Sequence, residues 1–311
     1  AGSLRQAVAD AAAGDTIVFD LAYPATIALS SPLAVTRDLT LRGPGAQHLT
    51  LSGNAGVRVL DLTGGTLHLA RLTVADGAVS GWEENGAGIR LGGGTAATLD
   101  QCRVMNHALS GGSNRGAAFH VPATASLTVL RSTICGNSVP MDSNSEGGAF
   151  YSEGDLTVSG CTVASNSAHY GSALFDRAGA GSTTSLLNTT FSANHSGADG
   201  AVCKNAGGSM SLVNCTVTAN VSSQYEAGLY AGGGGTLQMR NTVIAGNLPA
   251  DGMGDTDLFF DTAGIYVSAV FFTSQGYNLI GSTGSQTYTW TTGDVVGTEA
   301  AGQAAGLAPL A

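Results

Sequence analysis

GGAFYSEGDLTVSGCTVASN, residues 147–166, holds the unit from which most of the chain is built. Gly147-Gly148-Ala149 is a small-residue turn followed by one bulky side chain, Phe150. In DLTVSG, Leu156 and Val158 fall on one face. In CTVASN, Cys161 and Val163 do so, and the segment closes at Asn166. Alternation with a period of two, in runs this short and bounded by Gly, Ser and Asn, reads as short strands joined by tight turns. One unit cannot cover its own apolar face, so it must stack on copies of itself.

The copies are present. The Cys161/Val163 pair recurs as Leu72/Val74, Cys102/Val104, Ser132/Ile134, Thr189/Phe191 and Cys215/Val217. Leu156/Val158 recurs as Leu67/Leu69, Ala97/Leu99, Leu127/Val129, Thr184/Leu186, Met210/Leu212 and Leu237/Met239. The closing asparagine recurs at Asn137, Asn166, Asn194, Asn220 and Asn247, in steps of 29, 28, 26 and 27. A small-residue turn precedes Ile89, Phe119, Phe150, Leu174, Val202 and Leu229. A period in the high twenties, three short strands per copy and no helical periodicity predict an all-β parallel β-solenoid. Successive coils about 4.8 Å apart would make a rod of roughly 40–50 Å from roughly eight to ten coils.

The 311 residues read as one domain: a cap over 1–20, repeat coils over 39–247, and irregular coils with a tail over 248–311. Charged residues are 11% against the roughly 25% of ordinary soluble domains, and glycines number 46, as turn-rich stacking requires. A net charge of −10 argues against a nucleic-acid partner and against attachment to an anionic membrane. No apolar run reaches the length of a membrane helix, so direct membrane insertion is not expected. The sequence opens at Ala1 without a methionine, as expected of a processed or excised segment. Cys102, Cys161 and Cys215 occupy one inward position on alternate coils, about 9.6 Å apart and beyond disulfide reach. They read as small core fillers; Cys135 and Cys203 stay open.

Residues 1–20 differ from the repeats. Ser3 can cap a helix whose residues Leu4, Ala7, Val8 and Ala11 share a face, Gly14 can end it, and Thr16–Phe19 follows as a strand. Such a helix would cover the open end of the core. GSLRQAVADAAAGDTIVFD resembles the opening of bacterial right-handed β-helix surface proteins, where an SLREA-like helix precedes a GDTIxF strand. Phe191-Ser-Ala-Asn194 with Gly200-Ala201-Val202, and Gly147-Gly148-Ala149-Phe150, are similar to the FxxN and GGA[ILV] repeats of chlamydial polymorphic outer-membrane proteins. Most copies carry Val or Ile where that pattern has Phe. Gly276-Tyr277-Asn278-Leu279-Ile280-Gly281 and Gly293-Asp294-Val295-Val296-Gly297 resemble the closing coil of the same bacterial group. The resemblance implies a right-handed parallel β-helix with an N-terminal capping helix, in a secreted or cell-surface protein whose chain commonly runs on toward an anchoring tail.

Chemistry is expected in the segments between each closing Asn and the next small-residue turn, which would lie side by side along one face. They hold His169, Tyr170, His195, Asp199, Tyr225 and Glu226, residue types suited to sugars: Tyr stacks on rings and carboxylates act as acid and base. Lys204, the one lysine, lies near Asp199, His195 and Asp176, and forms the catalytic set to expect of a polysaccharide lyase or glycoside hydrolase. Galacturonase-type signatures are not found in order. Asp142, Asn144, Glu146 and Glu153 follow EF-hand-like spacing and make a candidate calcium site, with Glu where the fifth position calls for Asp or Asn. No other cofactor is expected. The N-x-[ST] triplets at Asn188, Asn194, Asn214 and Asn220 reflect turn composition.

Two functions fit. The first is a non-catalytic extracellular surface protein, a stalk, adhesin segment or fibre subunit; the second is a carbohydrate-active enzyme using the loop face. The partners to expect are glycans, copies of the chain itself, or the rest of a longer surface protein. Asp251, Asp255, Asp257 and Asp261 cluster after the repeats. They are followed by an apolar group, Ile265, Tyr266, Val267, Val270, Phe271 and Phe272, which must either be covered by the chain that follows or meet another surface.

Overall fold

The computed structural model describes residues 3–142, 144–249, 257–261, 268–283 and 288–297. Three parallel sheets wind as a right-handed β-helix. One coil runs through sheet C (Phe150–Ser152), sheet A (Asp155–Ser159) and sheet B (Thr162–Ala164). It then makes an excursion before re-entering sheet C at Leu174–Asp176. The register matches the alignment made from sequence: Val74, Val104, Ile134, Val163, Phe191 and Val217 pair rung to rung in sheet B. Leu67, Ala97, Leu127, Leu156, Thr184, Met210 and Leu237 do so in sheet A. Their side chains fill one continuous core.

Two corners of each coil are built by the same two-residue device. Between sheets A and B one residue per coil takes a left-handed conformation: Arg71, Gln101, Arg131, Gly160, Asn188, Asn214, Asn241 and Tyr277, with φ from 46° to 65°. Asn and Gly tolerate this region best, which accounts for the asparagines of two of the N-x-[ST] triplets. The residue that follows points inward: Cys102, Ser132, Cys161, Thr189, Cys215, Thr242 and Asn278 all lie in the interior. Their side chains do more than fill space. The N–H of Cys102 donates to Ser132 Oγ at 3.0 Å, and that of Ser132 to Cys161 Sγ at 3.5 Å. The N–H of Cys161 donates to Thr189 Oγ1 at 3.4 Å, and that of Cys215 to Thr242 Oγ1 at 3.4 Å. Each hydroxyl or thiol in turn donates to a carbonyl, as Cys161 Sγ does to Val129 O. All five cysteines are free thiols.

After sheet B the device repeats: Asp76, Asn106, Gly136, Ser165, Ala193, Ala219 and Gly246 have positive φ. The closing asparagines follow and form a buried ladder. Asn166 Nδ2 donates to Ile134 O at 3.2 Å and to Asn194 Oδ1 at 2.9 Å. Asn166 Oδ1 accepts the N–H of Asn137 at 3.0 Å and Asn137 Nδ2 at 2.8 Å. Two donors and two acceptor sites are all that an amide side chain has, and all four are used. His107 opens the ladder, its Nδ1 accepting from the Gly77 N–H at 2.9 Å. Its Nε2 lies 3.2 Å from Val74 O, which places the proton there. Asp257 closes the ladder, Oδ1 accepting the N–H and Nδ2 of Asn247, both at 2.8 Å.

The ends are covered. The helix Leu4–Asp10 is capped by Ser3, whose hydroxyl accepts from Gln6 N–H, and it seats Val8 and Ala11 on the core while Ala7 faces solvent. It stops at Asp10 rather than at Gly14, which instead turns the chain into the strand Asp15–Val18. At the other end Phe260 and Phe272 pack with Tyr288 and Trp290, ring centroids 4.6–5.2 Å apart for the closest pairs. Tyr288 and Trp290 thus pack back over Phe260 and Phe272. Val270 is buried and Phe272 half-buried, but Phe271 is 72% exposed. Asp251, Asp255, Ile265, Tyr266 and Val267 lie outside the described residues. Among the described residues no helix is long and apolar enough to cross a membrane.

Replacing Asn194 with Leu removes the acceptor for two buried donors of Asn166. The expected loss is about 3 kcal/mol in a urea titration, whereas Thr162→Ser on the exposed side of sheet B should stay within about 0.5 kcal/mol.

Candidate functional site

Past the asparagine ladder the chain leaves the cylinder. Short strands Ala78–Ser80 and Ala108–Ser110 pair together, and Ser167–Ala168, His195–Ser196, Val221–Ser222 and Leu248–Pro249 form a four-stranded ribbon. Ser138 bridges the two groups. Val79, Leu109, Val139 and Ala168 pack on Ala87 and Ala117 of the returning turn, giving this arm its own small core. A second column, Asn85, Arg115, Glu146 and Tyr170, runs along the return path. Gly147, at φ 72°, makes that return possible: a Cβ there would sit 2.3 Å from Phe150 O.

The arm lies against the outer side of sheet C. Tyr151, Phe175, Cys203 and Tyr230 point outward from that sheet and pack together, with Tyr170 and Phe259 against them. Tyr151 and Phe175 are parallel, with ring centroids 6.0 Å apart. Asp199 and Glu226 stand three residues before Val202 and Leu229, equivalent places on neighbouring coils. Among the described residues no other side chain pairs with either carboxyl; Glu226 is bonded by its own backbone N–H alone. Burial pushes Asp199 up to about 6. Burial, then the charge of Asp199, pushes Glu226 up to about 8. Burial and the nearby Asp199 also raise the Tyr170 hydroxyl, and Tyr225, 52% exposed, lies close enough to contribute. Tyr170, Asp199, Tyr225 and Glu226 are therefore brought together on three successive coils.

Other expected site residues are placed elsewhere. Asp176 and Lys204 point into the cylinder, continuing an inward column through Val121 and Ser152 to Ala231 and Phe260. Lys204 is fully buried, and its ammonium donates to the carbonyls of Ala206 and Gly234. Burial lowers its pKa while Asp176 opposes the shift, and burial raises Asp176 to about 6. His195 is exposed, its Nε2 3.2 Å from Ser223 Oγ. The set Lys204, Asp176, Asp199 and His195 is thus split between the inside of the cylinder and its outer face. His169 is buried edge-on against Tyr170, ring centroids 4.4 Å apart.

A family profile described as "Right handed beta helix region" matches residues 63–281. The chain belongs to that family. No curated protein matches it. No solved structure does either. The β-helix family accommodates surface proteins and polysaccharide-active enzymes alike.

In this β-helix the calcium spacing serves other contacts. Asp142 Oδ1 accepts from Asn144 N–H at 3.2 Å and from Ser145 Oγ at 2.7 Å. Glu146 Oε2 accepts from Arg115 Nε at 3.1 Å, and Arg177 lies 3.9 Å from Oε1. Glu153 accepts from the Tyr151 hydroxyl at 3.0 Å. A cation at Glu146 would have to displace two guanidinium groups. Among the described residues no three His, Cys, Asp or Glu side chains are placed to share a metal.

The sequence reading missed two features. Trp82 is 70% exposed at the tip of the arm and lies flat on Gly112 of the next coil, where a Cβ would come within 2.3 Å of its ring. Arg58, Arg90 and Arg115 gather beside His120 on the outside of sheet C. Neither feature recurs with the repeat, so alignment of copies could not reveal it.

Because the fold raises Asp199 and Glu226, their contribution to stability is fully present below the unfolded-chain values near 4 and is lost as pH rises through about 6 and then about 8. Wild type should therefore lose stability relative to Asp199→Asn/Glu226→Gln between about pH 4 and about pH 8. Urea titrations showing parallel pH profiles would contradict the burial of this pair.

Proposed function

We propose that the chain is an extracellular, non-catalytic surface module, a stiff stalk or adhesin segment that holds glycan along the arm beside sheet C. The observation that carries this reading is Tyr225, an exposed ring beside Asp199 and Glu226, two carboxyl groups that no other side chain pairs with among the described residues. Tyrosine presents an apolar face to a sugar ring, and free carboxyls accept its hydroxyl protons. Trp82 provides a further ring on the same arm. Stiffness is supported by the side-chain ladders, which tie every coil from 107 to 257 to the next. Extracellular placement is supported by the resemblance of the end motifs to bacterial surface proteins.

A second reading, glycoside hydrolysis, is favoured by one feature: Asp199 and Glu226 sit on adjacent coils with both pKa values raised, the condition for an acid–base pair at neutral pH. The two readings are separated by glycan-array binding and by product release from the bound glycans. The proposed module binds without releasing product. Tyr225→Ala should weaken binding about tenfold, equivalent to about 1.4 kcal/mol, without change in the β-sheet spectrum. Product release abolished by Glu226→Gln would establish the second reading instead. Unchanged affinity in Tyr225→Ala would remove this face as the glycan site.

A further inference from the structure

One outward column of sheet C passes from charge to rings: Asp61, Arg90, His120, Tyr151 and Phe175 occupy successive rungs. The His120 and Tyr151 rings are parallel, 5.6 Å between centroids. His120 Nδ1 is buried and has no hydrogen-bond partner among the described residues. An unpaired buried nitrogen is costly, and buried polar groups in folded proteins rarely lack a partner.

The groups around it are cationic. Arg90 donates through Nε and Nη2 to Asp61 at 2.9 and 2.7 Å. Arg58 donates to the carbonyls of Gly86 and Asn85, each at 2.8 Å, and to Glu84 at 3.2 Å. Arg115 donates through Nε alone to Glu146, and its guanidinium carbon lies 5.2 Å from the Tyr151 ring centroid. A guanidinium carries five N–H groups. Nη1 of Arg58 and of Arg90, and both terminal nitrogens of Arg115, are therefore left without a partner among the described residues. Burial and the charges of Arg115, Arg90 and Arg58 hold the His120 imidazole neutral, down to about 4. Asp61, Glu84 and Glu146 balance the guanidinium charges, but among the described residues no carboxylate acts on the imidazole.

We propose that Arg58, Arg90, Arg115 and His120 form an oxyanion-binding site on the outer face of sheet C, taking a sulfate or phosphate group carried on a glycan. The donors come from successive coils about 4.8 Å apart rather than from one planar fork, and the fork of Arg90 is already taken by Asp61. Spread donors of this kind suit a tetrahedral oxyanion better than a planar carboxylate. The carrier rests on the glycan reading above; the anion does not. Arg58, Arg90, Arg115 and Tyr151 face the imidazole. An anion added among them would stabilise protonated His120, so binding should strengthen as pH falls.

The test is NMR of the His120 ring, assigned with His120→Gln, in sodium sulfate against sodium chloride at equal ionic strength near pH 6. Sulfate is expected to shift the ring signals saturably where chloride does not, and Arg115→Gln should weaken that response at least tenfold. If Arg115→Gln fails to fold, the sulfate–chloride contrast in wild type decides. Identical, non-saturating shifts in the two salts overturn the proposal. Sulfated and desulfated forms of one polysaccharide then identify the carrier. A saturable response to inorganic sulfate with neither polymer bound keeps the oxyanion site and removes the glycan reading. Glycan binding with no response at His120 does the reverse.

Discussion

A chain that turns a sharp corner between parallel strands leaves a backbone N–H facing the interior, away from water and from any strand. In a coiled rod this happens at the same place on every rung, so the cost of one unmet donor would be multiplied by the number of coils. Here both ladder corners meet it with a side chain from the next rung: a hydroxyl, thiol or amide oxygen accepts the orphan N–H. The left-handed residue that makes the bend costs about 1–2 kcal/mol where it is not glycine. The hydrogen bonds made by its inward neighbour offset that strain.

The same constraint explains why the ladders have defined ends. Each amide passes a donor forward, so the last rung must offer an acceptor and need no donor, which is what a carboxylate provides. Asp257 ends the asparagine ladder. Asp294 ends the other, accepting the N–H of Asn278 at 2.9 Å and its Nδ2 at 3.0 Å after Asn278 has accepted from Thr242. Burial pushes Asp294 up, but hydrogen bonds from Ser274, Thr291 and Asn278 prevail and hold it below the usual carboxylate range. With the corner N–H groups met by the ladders, both proposed sites lie on the outside of the cylinder. The arm beyond the asparagines carries Tyr170, Tyr225, Asp199 and Glu226, and the outer face of sheet C carries the arginines.

Much of this was legible in the sequence. The strands, the register and the core could be read because period-two alternation repeats every high-twenties step, and the closing asparagines were visible as one repeated letter. The hydroxyl–thiol ladder was not, because Cys, Ser and Thr look like unrelated small residues until their shared ability to accept and donate is set against a corner N–H. Asp257 and Asp294 occur once each and carry no periodic signal. In the candidate site, Tyr170, Asp199, Tyr225 and Glu226 were recognisable as arm residues. Lys204, only five residues beyond Asp199, was wrongly expected beside it. Between them the chain passes from arm to strand, and alternation turns Cys203 outward and Lys204 inward.

Amide hydrogen exchange on the folded protein tests the ladder account most directly. The backbone N–H groups of Asn137, Asn166, Asn194 and Asn220 lie in turns, yet each is bound to a side chain of the next rung. The account predicts that they exchange as slowly as the central sheet amides, opening only with global unfolding. Exchange at the rate of the arm loops would show that the side-chain ladders do not hold the coils together.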